Sequence, residues 1–223
     1  MRPLGWTLIA IAMCSCAAPP PKDGLAGVSP PRMADIGDID FTRRTEIALL
    51  NDQGTKLSVG DDIERAQDLF PKRGAKGFAD LPPTLNSQVF NAWGWQTTHG
   101  EAFGAIFERR ARRVALAMRT MPDQGQLALD DLINRFRREI GSTAAKELGV
   151  PAGPIRYWFW TRSSMHRLMV CAVTNKKGGY NVTVAMGDVQ VMDAIGADPE
   201  KAAVDLAKAT NVLERKKSAT TGT

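Results

Sequence analysis

Two short patterns, Trp93-Gly-Trp95 and Trp158-Phe-Trp160, stand 65 positions apart in runs that alternate like β-strands. Residues i and i+2 of a strand share a face, so each pair sets two indoles on one side of a sheet. The spacing extends beyond the tryptophans. Phe103 and Leu168 are also 65 apart, as are Ile106 and Cys171. Ala117-Met118 and Ala185-Met186 are separated by 68, and Asp61-Asp62 and Asp130-Asp131 by 69. The chain is therefore expected to use one unit twice, a helix followed by three strands, over about 58–121 and 127–197. The expected fold class is α+β: two αβββ units in tandem, an antiparallel sheet and a C-terminal helix. Chance similarity between two unrelated hairpins is the alternative.

Periodicity supplies the elements. Strand-like runs cover 89–97, 102–108 and 113–119, then 155–161, 165–174 and 180–186. In the third run Val114, Leu116 and Met118 alternate with Arg113, Ala115, Ala117 and Arg119, which predicts one buried face. The charged segment 109–113 falls where a hairpin turn belongs, and Asn175-Lys-Lys-Gly-Gly179 is a second turn by composition. A helix is expected from about Gly60-Asp61, with Ile63, Ala66, Leu69 and Phe70 at helical spacing and Pro71 as its stop. Leu129, Leu132, Ile133, Phe136 and Ile140 mark another. A short helix is expected over 40–50, a loop over 71–88, a short turn over 144–148, and a short helix over 189–195 behind Asp188. Asp198 and Pro199 open a last helix, by cap and first-turn proline, that runs to about Arg215. Residues 216–223 read as a disordered tail, which closes a folded region of 40–215.

The beginning of the chain reads as delivery. Arg2 is followed by a ten-residue apolar run, Leu4 to Met13, which is too short for a spanning helix of about 20 residues. A positive start, a short apolar stretch and small residues make residues 1–15 a secretory signal. Residues 13–16, Met-Cys-Ser-Cys, resemble the lipobox of bacterial lipoprotein precursors, with Ser15 in the small position before Cys16. That resemblance implies cleavage after Ser15 and thioether lipidation of Cys16. An ordinary signal peptide cut near Ala17 or Ala18 is the alternative. One acyl chain holds a protein to a membrane only marginally, at about 0.8 kcal/mol per methylene, and two or more hold it firmly. Ala17 stands where an Asp would signal inner-membrane retention in many Gram-negative bacteria, which favours the outer membrane, at its periplasmic face. Residues 16–39 carry Pro19, Pro20, Pro21, Pro30 and Pro31, a tether whose segment 17–32 can extend to roughly 50 Å.

Cysteine and charge agree with an extracytoplasmic setting. Beyond residue 15 only Cys16 and Cys171 remain, so Cys171 has no intrachain partner if Cys16 is lipidated. Its apolar run, Leu-Met-Val-Cys-Ala-Val, predicts a buried thiol. Losing Arg2 lowers the formal net charge from +5 to +4. The positive residues cluster at Arg109, Arg110, Arg112 and Arg113, at Arg135, Arg137 and Arg138, and at Arg215, Lys216 and Lys217. Nucleic acid is not the expected partner of a lipoprotein. Anionic headgroups or acidic envelope polymers fit better, and a solvated charged surface is the plainer reading.

The stretch Leu57-Ser-Val-Gly-Asp-Asp-Ile-Glu-Arg-Ala-Gln-Asp-Leu-Phe70 resembles the helix start of small outer-membrane lipoproteins of the SmpA/OmlA (BamE) type. The helix-then-strands order is also similar to the β-lactamase-inhibitor-protein fold. The resemblance covers about 14 residues, its Gly-Met-Ser/Thr core is Gly-Asp-Asp here, and the tryptophans are not part of it. It implies an architecture and a protein-binding role, and it assigns no site residue.

Motifs for catalysis are missing from the sequence: there is no His-Glu-x-x-His, no Gly-x-Ser-x-Gly, no phosphate loop and no Cys-x-x-Cys. Two histidines, His99 and His166, could join Glu101 around a metal only by tertiary accident, and turn histidines are the better reading. Ser163 and Ser164 beside His166 have no expected geometry for nucleophilic catalysis. The distinctive candidates are the tryptophans. Arg156 and Arg162 share the face of Trp158 and Trp160, an Arg-x-Trp-x-Trp-x-Arg platform of hot-spot residue types. The expected reading is a non-enzymatic, lipid-anchored envelope protein without cofactor or metal. It would bind another envelope protein through Trp93, Trp95, Arg156, Trp158, Trp160 and Arg162. Glycan or peptidoglycan stacking on the same indoles is the alternative, as is an enzyme with an unrecognised site. Core indoles with satisfied N–H groups would remove the platform altogether.

Overall fold

The computed structural model describes residues 48–72, 74, 76–78, 80–140, 145–149, 153–161, 165–204 and 206–207. The expected signal segment, the tether with Cys16, residues 40–47, Arg162, Ser163, Ser164 and the tail lie outside the described residues. The elements are β1 (Ala48–Leu50), β2 (Lys56–Ser58), α1 (Ile63–Leu69), β3 (Lys76–Phe78), β4 (Phe90–Gln96), β5 (Ala102–Glu108) and β6 (Val114–Gln124). They continue with α2 (Gln126–Ile140), β7 (Lys146–Leu148), β8 (Ile155–Thr161), β9 (His166–Thr174), β10 (Tyr180–Asp188) and α3 (Val189–Ala194). A last helical segment occupies 199–204 and 206–207. The chain is mixed helix and strand, with one large antiparallel sheet and a C-terminal helix, in keeping with the α+β expectation.

Eight strands form that sheet in the order β3-β4-β5-β6-β10-β9-β8-β7. The order reads alike from either edge: four strands run inwards from β3, four from β7, and β6 meets β10 at the centre. The β4–β5 hairpin pairs Phe90 with Glu108, and the β8–β9 hairpin pairs Ile155 with Val173, each residue 65 positions on. At the centre the strands press close. A Cβ on Gly187 would lie 3.0 Å from the Leu116 side chain and 3.1 Å from the Ala115 carbonyl oxygen, so a larger residue there requires its neighbours to give by a few tenths of an ångström.

Both faces of the sheet are covered. On one, α1, α2 and the β1–β2 hairpin bring Leu49, Leu57, Ile63, Ala66, Leu129, Ile133 and Phe136 onto Trp95, Phe103, Trp158, Trp160, Leu168 and Val184. On the other, Val191 and Met192 of α3, with Ala197 and Ala202, close over Leu116, Met118, Phe159, Met169 and Cys171. α2 needs no special device. Leu129, Ile133, Phe136 and Ile140 form its buried stripe, and Arg137 and Arg138 in the last turn complement the helix dipole.

Several expectations are corrected. Residues 48–50, expected to end a helix, form β1. Leu49 pairs with Leu57 and both are buried, so a hydrophobic cross-strand contact outweighs local helix propensity. The Asn51 side chain accepts from the Gln53 and Thr55 amides, and Gly54 at φ +77° completes the turn. The expected loop at 71–88 and turn at 144–148 contain the three-residue edge strands β3 and β7. Segments this short carry no periodicity to read. All of 114–119 is buried, not one face only, because both faces are covered. Ala117 packs on the face of α1 and α2 while Ala185 packs on the opposite one, so the two Ala-Met pairs do not occupy matching places. Asp61 and Asp62 precede α1, whereas Asp130 and Asp131 lie inside α2.

Candidate functional site

The two Trp-x-Trp strands, β4 and β8, lie second from each edge of the sheet, and their indoles point towards the helices. Trp95 is 6% exposed, and its Nε1 donates to the Phe70 carbonyl at 2.8 Å, at the residue that closes α1. Trp158 and Trp160 are 2% and 1% exposed. Trp160 meets the ring of Phe136 from α2 at 5.9 Å, and its Nε1 has no hydrogen-bond partner. Trp93 is half-buried and tilts over Phe103 at 5.7 Å.

Half of the expected arginine pattern is present. The Arg156 guanidinium stacks over Trp158 at 4.6 Å and bonds Glu147 of β7 at 2.8 Å. The stack is internal, however, and seals Trp158 instead of displaying it. Arg162 lies outside the described residues. The open platform is therefore corrected for Trp95, Trp158 and Trp160: they are core. For these three the alternative of core indoles holds, because packing covers both faces of the sheet. Trp93 is the tryptophan of the four with part of its surface accessible.

A cleft of about 240 Å³ opens beside Trp95, lined among others by Asp52, Asp68, Phe70, Glu101 and Arg119. Arg119 of β6 is its structural centre. Nη1 donates to the Leu50 carbonyl at 3.0 Å, Nη2 pairs with Asp52, and Glu101 stands 3.6 Å away. The guanidinium also covers the Phe70 ring at 5.9 Å. It thus ties the β1–β2 hairpin to the large sheet. Its place in the strand alternation was visible in the sequence, but nothing local showed that this face would be covered.

The remaining candidates separate. His99 sits exposed in the β4–β5 turn, as expected. His166 does not: it is 6% exposed at the start of β9, directly across from Asp188, itself 4% exposed. Burial pulls the imidazole below its usual range and pushes the Asp188 carboxyl above its own, while their mutual attraction opposes both shifts. Among the described residues no group of three His, Cys, Asp or Glu side chains is placed to hold a metal ion. Cys171 is buried, and burial pushes its thiol up to about 12. In the basic turn, Arg112 pairs with Glu64 at 2.6 Å and Arg113 with Asp62 at 3.1 Å, so part of that charge is neutralised at the start of α1. Among the described residues no helix is long and apolar enough to cross a membrane.

Comparison with protein-family models, with curated proteins and with solved structures finds no match to this chain.

Proposed function

We propose that the protein is a lipid-anchored, non-enzymatic component of a bacterial cell envelope, held by Cys16 and binding another envelope protein. The lipobox-like residues 13–16 and the proline-rich segment behind them support the anchor. In this reading the folded region is one unit used twice, a helix and four strands. The palindromic strand order and the hairpins at a common offset of 65 support it. So do Ile63 and Ile133, Ala66 and Phe136, and Phe70 and Ile140, each pair 70 apart and packed in the same core. Along the inner strands the pairs Ala102–Thr120 and Arg167–Gly187 set an offset of 67, which keeps Ala117 and Val184 on one face.

The observation that carries a binding role is the contrast between equivalent indoles. Trp158 is sealed by Arg156, while Trp93, 65 positions earlier, follows Asn91 instead of an arginine and keeps accessible surface beside the edge strand β3. A partly exposed tryptophan is the residue type most enriched at binding hot spots. The partner surface is thus the Trp93 end of β4 and not the whole set of tryptophans.

Two measurements test this. Metabolic labelling with a fatty acid should mark the chain and leave Cys16→Ser unlabelled; an unlabelled wild type overturns the anchor. Capture from native envelopes should recover a protein partner that Trp93→Ala loses while still unfolding cooperatively. Undiminished capture, or retention on purified peptidoglycan without any protein partner, overturns the binding surface in favour of the glycan alternative.

A further inference from the structure

The cluster at the joint between β10 and α3 is used by none of the contacts above. His166 and Asp188 are direct partners in the antiparallel ladder, so their side chains are neighbours on one face, and both are buried. Asp188 also ends the strand and caps α3: its Oδ1 accepts from the Gln190 amide at 2.8 Å and the Val191 amide at 3.4 Å. On the other side of β9, Arg167 reaches α3 through Asp193 at 2.5 Å and the Ala197 carbonyl at 3.1 Å. The short helix held by this joint covers the second face of the sheet with Val191 and Met192, both fully buried.

We propose that this joint is an acid-sensitive latch, in which charging His166 beside Asp188 loosens the docking of α3 and uncovers part of the second sheet face. Histidine is the side chain whose ordinary titration lies nearest neutral pH. A buried imidazolium lacks water, and opening the joint restores it. The charges that act on the pair among the described residues are those of His166 and Asp188 on each other and that of Asp193 of α3 on Asp188. Alternation puts His166 and Asp188 on the face of Leu168 and Met186, and Arg167, paired with Asp193, on the opposite one, so Asp188 is the close counter-charge of the new cation.

The direction follows from burial. The folded imidazole lies below the ordinary value of 6.5, so its contribution to stability is present above 6.5 and is lost as pH falls towards the folded value. The Asp188 carboxyl is raised mainly by burial, so its contribution has the opposite sign and grows as pH falls through its own value. The latch therefore works in the interval just below pH 6.5.

Amide hydrogen exchange of the full-length chain tests it, with rates corrected for intrinsic exchange at pH 7.5 and 5.5. Protection of the Val191 amide should fall several-fold at the lower pH. His166→Gln should remove that dependence, and His99→Gln, which changes the other histidine, should keep it. Asp188→Asn, which retains a capping oxygen, should make the loss larger because the imidazolium is left without its anion. An unchanged Val191 amide in the wild type, or an undiminished dependence in His166→Gln, overturns the latch. If His166→Gln does not fold, titration of the wild-type ring by NMR decides: a midpoint at or above 6.5 overturns it.

Discussion

The two halves of the sheet, four strands inwards from β3 and four from β7, anchor their helices differently. In the first, the Trp95 indole donates to the carbonyl that ends α1, and Arg119 draws the β1–β2 hairpin onto the core. In the second, the Trp160 indole has no acceptor, and β10 sets the buried Met186 on the same face. At the edges the contrast reverses: Arg156 and Glu147 seal Trp158, while Trp93 stays partly open. On the face of α1 and α2, the first half adds directed polar contacts to its packing and has an accessible edge. On that face the core of the second rests on packing around Trp160, and its edge is closed by Arg156 and Glu147.

Removing the bulk of a core indole in the packing-dependent half is the severest test of that contrast. Trp160→Ala should cost about 3–5 kcal/mol in denaturant unfolding, the usual range for deleting a buried aromatic. A cost within that of a surface substitution would mean that α2 does not rest on Trp160.

Phenylalanine substitution separates bulk from the hydrogen bond. Trp95→Phe leaves the Phe70 carbonyl without its donor, whereas Trp160→Phe removes an N–H that has no acceptor. Trp95→Phe should therefore be the costlier of the two by about 1 kcal/mol. Equal costs would erase the difference between the halves.

Arg156→Ala should lower stability by about 1 kcal/mol through lost stacking and lost cover over the ring. Its clearer readout is residue-resolved oxidation of Trp158, which should rise towards that of Trp93. An unchanged Trp158 would show that the arginine is not its seal.

The smallest expected effect is at the basic turn. Arg112→Ala breaks an exposed pair with Glu64, and no change in the unfolding midpoint should be resolved at moderate salt. A clear loss would mean that this turn, and not only the core, holds α1.

How much of this was legible varies from element to element. β5 and β8 match their expected bounds, because short apolar and aromatic runs between turns define them locally. β1 replaces the helix expected over 40–50, since Ala-Leu-Leu favours either state until Leu57 supplies a partner. β3 and β7 were invisible, being three residues of backbone pairing at a sheet edge. Among the candidate site residues, the stack of Arg156 on Trp158 followed from their i, i+2 spacing. The importance of Arg119 and of the His166–Asp188 pair did not. Their partners are separated by 67 residues for Asp52 and Arg119 and by 22 for His166 and Asp188.

The sequence by itself determined the longer elements, α1, α2, β4–β6 and β8–β10, with their order and the repeated tryptophan spacing, because periodicity and turn chemistry act within a few residues. Only the tertiary structure decided which faces are covered, and with that whether a tryptophan is a binding surface or core. Burial is a property of what packs across the sheet, and the helices that seal Trp95 and Trp160 come from parts of the chain whose own sequence does not say which face they will choose.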